Sequence, residues 1–138
     1  MASDALTDYD FWKNYWLSKE GLIFPIPNQY TFTKELAQLI ESKKIKTLLE
    51  IGGFPGYYSV WAGKKFGLKS TLLDFVILDE LVGQLKKAND YEGEIDIWEK
   101  DLFAHDAEGK NSFDLVISNG LIEHFKDTQD IIARHVNY

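Results

Sequence analysis

Between Lys46 and Tyr57 the chain reads Lys-Thr-Leu-Leu-Glu-Ile-Gly-Gly-Phe-Pro-Gly-Tyr. A short apolar run (Leu48, Leu49, Ile51) carries an acid near its end, breaks into glycines, and gives way to a helical pattern from about Tyr58. Gly52, Gly53 and Gly56 remove side chains where the backbone must turn sharply and where a ligand must come close. Strand, glycine turn and helix in that order form the front end of a nucleotide-binding unit. Whatever else the chain does, it must build around this turn.

The flanking pattern supplies the rest of such a unit. Residues 32–42 predict a helix, because Phe32, Leu36, Leu39 and Ile40 fall at i, i+4, i+7 and i+8, with Thr31 or Thr33 as its cap. Strand one is Thr47–Ile51. Tyr58, Trp61, Ala62 and Phe66 then make a helical stripe stopped by Gly67. Strand two is Ser70–Phe75, followed by a helix through Leu78, Leu81, Val82 and Leu85 that leaves at Asn89 and Gly93. Strand three, Glu94–Trp98, alternates apolar and charged residues as an edge strand with one wet face does. A polar surface connection over 104–112 leads to strand four, Phe113–Ser118, with Asn119 and Gly120 as its terminal turn. Asp127 or Thr128 caps a last helix in which Ile131, Ile132, His135 and Val136 point one way. Strands alternating with helices predict an α/β parallel sheet with right-handed crossovers.

Residues 1–30 are irregular and aromatic, with Tyr9, Phe11, Trp12, Tyr15, Trp16, Phe24 and Tyr30, although Phe11 and Tyr15, with Trp12 and Trp16, fit one helical face before Pro25 and Pro27 force an extended segment. Two readings stand: an arm that packs its aromatics on the domain, which we favour, and a lid over a ligand pocket. The expected division is an aromatic arm or lid over 1–31 and a partial Rossmann-like domain over 32–138.

In a parallel sheet, ligands sit beyond the carboxyl ends of the strands. Glu50, Asp74 and Asp101 stand at or just past three of those ends, and Asn119 at the fourth. Acids gathered on one rim repel each other unless a ligand brings donors or positive charge. Asp74 follows Gly52 by 22 residues, the spacing of a carboxylate that accepts from ribose hydroxyls. The dinucleotide fingerprint fails, since counting from Gly52 its second and third glycines are Phe54 and Tyr57, and no Gly-Lys-Ser/Thr phosphate loop exists. A net charge of −7 repels nucleic-acid backbones, so no nucleic-acid partner is expected. No cysteine is present, which excludes disulfides and thiolate metal sites. His105 and His135 read as surface or packing residues, and no His and carboxylate trio has metal-ligand spacing, so no metal is expected. No apolar run approaches the roughly 20 residues that span a bilayer. The N-terminus lacks the basic and apolar regions of a secretory signal, and we expect a cytoplasmic protein.

Leu48 to Gly56 resembles the first motif, acid-x-G-x-G-x-G, of the class I S-adenosylmethionine-dependent methyltransferases. Asp74 is similar to the acid of their second motif and Asp101-Leu102 to their third. Phe113 to Phe125 is similar to the strand-four motif of the broad group that mostly methylates small molecules. The likeness covers about residues 46–138. It implies a Rossmann-like sheet in the order 3-2-1-4, S-adenosyl-L-methionine as cofactor, and a small-molecule acceptor. By the same resemblance Glu50 braces the turn and helps hold the methionine amino group, while Gly52, Gly53 and Gly56 let the methionine part lie against the turn. Asp74 binds the ribose hydroxyls, Phe75 packs near the adenine, and Asp101 with the Leu102 backbone receives the adenine amine. Asn119 and Gly120 line the floor under the sulfonium.

His124 follows strand four and is the candidate general base, against the plainer reading of a helix-start histidine packed on the pocket. The family's middle glycine is Phe54 here, followed by Pro55, which stiffens the turn and narrows its mouth. The family continues through a fifth strand and a closing hairpin. We therefore expect a truncated domain whose strand-four edge is open to self-association. Two other functions remain in view: a non-catalytic cofactor-binding or protein-interaction module of the same fold, and a different nucleotide enzyme such as a dehydrogenase.

Overall fold

The computed structural model describes residues 8–100, 112–119 and 128–136. Four strands, β1 (Thr47–Ile51), β2 (Lys69–Asp74), β3 (Ile95–Glu99) and β4 (Leu115–Ile117), form one parallel sheet in the order β3-β2-β1-β4. This is the Rossmann-like arrangement expected from the sequence. Leu48 lies opposite Ser70 and Leu115, and Ser70 opposite Ile95. Alternation then puts Leu48, Glu50, Leu72, Asp74, Ile95, Ile97 and Glu99 on one face.

Helices α2 (Thr33–Lys43), α3 (Tyr57–Phe66) and α4 (Asp79–Ala88) supply the apolar surfaces that this face needs. Ile40, Trp61, Ala62 and Leu68 cluster on Leu48, with Leu115 and Ile117 beside them. Phe54, Ile77 and Val82 cluster on Leu72, with Ile95 and Ile97 beside them. Leu48, Leu49, Ile51, Leu72 and Leu73 are essentially sealed from water. Each such side chain contributes about 1.5–3 kcal/mol through burial. The two central strands therefore fix the sheet, and the turn after β1 is fixed with them.

Strand ends differ from the sequence reading for local reasons. Lys69 joins β2 because its N–H reaches Lys46 O at 3.0 Å. Phe75 leaves it because its N–H turns onto the Asp74 carboxylate at 2.7 Å. Strand three moves one residue along, from Glu94–Trp98 to Ile95–Glu99, and Lys100 N–H still donates to Asp74 O at 3.0 Å. Strand four shrinks to Leu115–Ile117 because Asp114 pairs through its side chain instead. Its Oδ2 accepts from Lys46 N (2.9 Å) and Thr47 N (3.2 Å), while Asp114 N–H donates to Thr47 Oγ1 (2.8 Å).

Helix α2 starts without a side-chain cap. Phe32 takes the N-cap place in the left-handed region (φ 64°), and the Thr33 hydroxyl donates back to Tyr30 O (2.7 Å) and Asn28 O (3.3 Å). Helix α3 stops as expected at Gly67 (φ 69°), whose N–H reaches Ala62 O and Gly63 O.

The aromatic residues of the N-terminal segment that fit one helical face do lie on a helix. Helix α1 (Tyr9–Ser18) forms under the Asp8 carboxylate, which accepts from Phe11 N at 2.9 Å. No α1 residue is fully buried, yet Trp16 meets the Phe54 ring edge-on at 5.1 Å and Leu22 enters the core beside Leu72. Helix α5 (Thr128–Val136) packs on β4 through His135, whose Nε2 is 2.8 Å from Ser118 Oγ. Ile132 and Val136 stand exposed instead of sharing that contact. His135, read from sequence as a surface or packing residue, thus holds the carboxyl end of β4. Among the described residues no helix is long and apolar enough to cross a membrane.

Candidate functional site

The turn after β1 is built by backbone demands that its glycines meet. Gly52 (φ 70°) sends its N–H to Leu73 O at 2.7 Å, which ties the turn to β2. Gly56 (φ 104°) is the N-cap of α3. Both φ values lie where only glycine is at ease. Gly53 is required for space, because a Cβ there would overlap the Glu50 carboxylate. Phe54 does not narrow the mouth of the turn as its sequence position suggested. Its ring turns inward and is 3% exposed among Leu22, Leu72, Ile77 and Val82, since burying an aromatic ring outweighs leaving it over an open crevice.

Glu50 lies at the base of the turn and is 2% exposed. Its Oε1 accepts from the Ser59 N–H (2.9 Å) and the Ser59 hydroxyl (2.8 Å), at the start of α3. Burial nevertheless pushes its pKa up to about 7, with those bonds and one from Tyr58 N–H holding it down and Asp74 adding repulsion. Asp74 ends β2, half-buried. Its Oδ2 accepts from Phe54 N (3.0 Å) and its Oδ1 from Phe75 N (2.7 Å). Desolvation raises its pKa to about 6 against those backbone bonds, and Glu99 raises it further. Asp74 is no helix cap, since α4 begins five residues later with Leu78 at the cap position.

These two acids therefore clamp the glycine turn from both sides, Glu50 through α3 and Asp74 through the Phe54 N–H. A carboxylate has roughly four acceptor positions, and the Phe54, Phe75 and Val76 N–H groups occupy three of those of Asp74, which leaves it one for a ligand. Phe75 stands half-buried beside it and meets the Tyr9 ring of α1 edge-on at 5.6 Å. Asn119, beyond β4, donates from Nδ2 to the Tyr58 hydroxyl at 3.3 Å, so it reaches the start of α3. Asp101, Leu102, Gly120 and His124, which the sequence also put forward, lie outside the described residues.

The sequence reading missed three contributors. Glu99 sits opposite Asp74 in register and accepts from Ile77 N at 2.8 Å, a third acid on the described rim. The alternation Ile95, Ile97, Glu99 was the signal for it. Tyr30 and Tyr58 join the arm to the turn, and no local pattern marks a contact between residues so far apart in sequence. No group of three His or acidic residues gathers as a metal site would require, among the described residues. An open groove of about 380 Å³, lined by Thr47, Lys69, Asp96 and Trp98 among others, lies on the opposite sheet face toward the strands' amino ends, away from this chemistry.

Sheet order, glycine turn and rim acids together are the class I S-adenosylmethionine-dependent methyltransferase fold. Among solved structures, the chain is similar to the Haemonchus contortus phospholethanolamine N-methyltransferase 2 in complex with phosphomonomethylethanolamine and S-adenosylhomocysteine. The two are 25% identical with a TM-score of 0.57, over 89% of this chain and 28% of that one. The chain thus spans little more than a quarter of that enzyme's length. No family model matches the chain, and no curated protein matches it significantly.

Proposed function

We propose that this chain binds S-adenosylmethionine at the rim formed by Glu50, the Gly52–Gly56 turn, Asp74 and Asn119, and serves methyl transfer to a small-molecule acceptor. The observation that carries the reading is the double clamp on the turn by two desolvated acids. Such a pair favours a ligand with positive charge and hydroxyl donors over a phosphate. The residues present fit the cofactor: Gly53 lets the Glu50 carboxylate lie directly against the turn, Asp74 keeps acceptor capacity for the ribose, and Phe75 offers an apolar face to the adenine. Glu50 and the turn hold the methionine amino group. Asp101, Leu102 and Gly120 belong to the same proposal.

When bound, the cofactor supplies a methyl group already activated on a sulfonium. The chain's own task is orientation, holding an acceptor about 3 Å from that methyl and in line with it. His124 takes a proton only where the acceptor must lose one early. Calorimetric titration with S-adenosylhomocysteine tests the proposal. Binding is expected, and Asp74→Ala weakens it by about 1–3 kcal/mol through lost ribose hydrogen bonds. Absence of binding, or preference for a nicotinamide dinucleotide in a parallel titration, overturns it.

A further inference from the structure

Tyr30 is held on all sides except at its hydroxyl. Its N–H donates to Pro27 O (3.1 Å), and its carbonyl accepts from Thr33 N (3.1 Å) and Thr33 Oγ1 (2.7 Å). Its ring lies 5.7 Å from that of Tyr57, 5.5 Å from Tyr58 and 6.2 Å from Phe24. The neighbouring phenols are committed: Tyr57 donates to Leu22 O (2.6 Å), and Tyr58 donates to Thr31 O (2.8 Å) while accepting from Asn119. The Tyr30 hydroxyl makes no hydrogen bond among the described residues. Burial, and after it the charge of Glu50, raise its pKa above the ordinary phenol value, so the hydroxyl keeps its proton.

Three acids meet on the described rim, Glu50, Asp74 and Glu99, and each is negative once ionised. They suit the ammonium of an α-amino acid but repel its carboxylate. A neutral, protonated donor on a ring already fixed in place resolves that conflict at little entropic cost. We propose that the Tyr30 hydroxyl donates to the carboxylate at the amino-acid end of the bound cofactor, so that the N-terminal arm completes the site. This rests on the S-adenosylmethionine reading above.

The test compares two probes on Tyr30→Phe. S-Adenosylhomocysteine carries the amino-acid end, and 5′-methylthioadenosine lacks it. The variant is expected to bind S-adenosylhomocysteine roughly ten-fold more weakly and methylthioadenosine unchanged. Retained methylthioadenosine binding also shows that the site is folded. Tyr58→Phe, which removes a hydroxyl bonded to backbone, is expected to weaken both probes alike. Unaltered S-adenosylhomocysteine affinity in Tyr30→Phe, or equal losses for both probes, overturns the role of Tyr30 and leaves the cofactor reading standing. Failure of the unsubstituted chain to bind either probe removes the cofactor reading, and this inference with it.

Discussion

Glu50 couples the stability of the turn to pH. Its carboxyl titrates near 4.5 in ordinary surroundings and near 7 in the fold, so folding favours the protonated acid. That contribution is whole below about pH 4.5 and is lost as pH rises through 7. Asp74 adds the same sign, between 3.8 and about 6. Stability measured by urea melts should therefore decline through these two groups from about pH 4 to about pH 7. Glu50→Gln should flatten the slope, its share being on the order of 3 kcal/mol. Ligand binding runs the other way, because an ammonium selects the ionised acids. Affinity for S-adenosylhomocysteine should fall as pH drops through that range, and calorimetry in buffers of different ionisation heat should detect proton release on binding. Gly53 is the second residue with a sharp consequence. Gly53→Ala places a methyl against a buried, hydrogen-bonded carboxylate that cannot step aside. A loss of about 1–3 kcal/mol in melts is expected, as for other overpacked sites, with ligand binding abolished. The need for glycine at 52, 53 and 56 was legible in the sequence. Its separate causes, positive φ at 52 and 56 and steric room at 53, were not.

Among the elements, β1, α3 and the glycine stop at Gly67 followed directly from local pattern, because periodicity and glycine punctuation act within a few residues. The N-terminal arm did not. Its attachment depends on Asn89, which is 8% exposed at the end of α4. Asn89 Oδ1 accepts from Ile26 N (2.7 Å), and Nδ2 donates to Phe24 O (3.1 Å) and Leu85 O (2.9 Å). In sequence Asn89 looked only like a helix exit. Asn89→Ala leaves buried backbone groups unpaired, and we expect a cost of about 2–3 kcal/mol. Hydrogen exchange should show faster exchange at Ile26 with little change in β1. Equal protection at Ile26 would mean that the arm is held elsewhere. Asp114 is a comparable case. It reads as an ordinary strand residue, yet its side chain joins the start of β4 to β1, and the Lys46 and Thr47 N–H bonds hold its pKa below the usual carboxylate value.

At the scale of the whole molecule, the sheet's two edges differ. On one, β3 has only half-buried and exposed positions; on the other, the three-residue β4 borders a helix that exposes Ile132 and Val136. We propose that this β4–α5 side is where copies of the chain associate. Sedimentation should show concentration-dependent assembly that Ile132→Glu with Val136→Glu suppresses; unchanged assembly in that double variant would place the contact elsewhere. By itself the sequence determined the alternation of strands and helices, the glycine turn and the acids of β1 and β2, because each is encoded by neighbours within one strand-turn-helix unit; the order 3-2-1-4 came only from the family resemblance, since β1 pairs with the distant β4. Only the tertiary structure decided that Phe54 faces inward, that Asp74 and Glu50 grip the same turn, and that Tyr30 reaches it from the arm. Those contacts cross from one element to another, from Glu50 to Ser59 or from Asp74 back to Phe54, or depend on which surface a ring buries, and no local period records them.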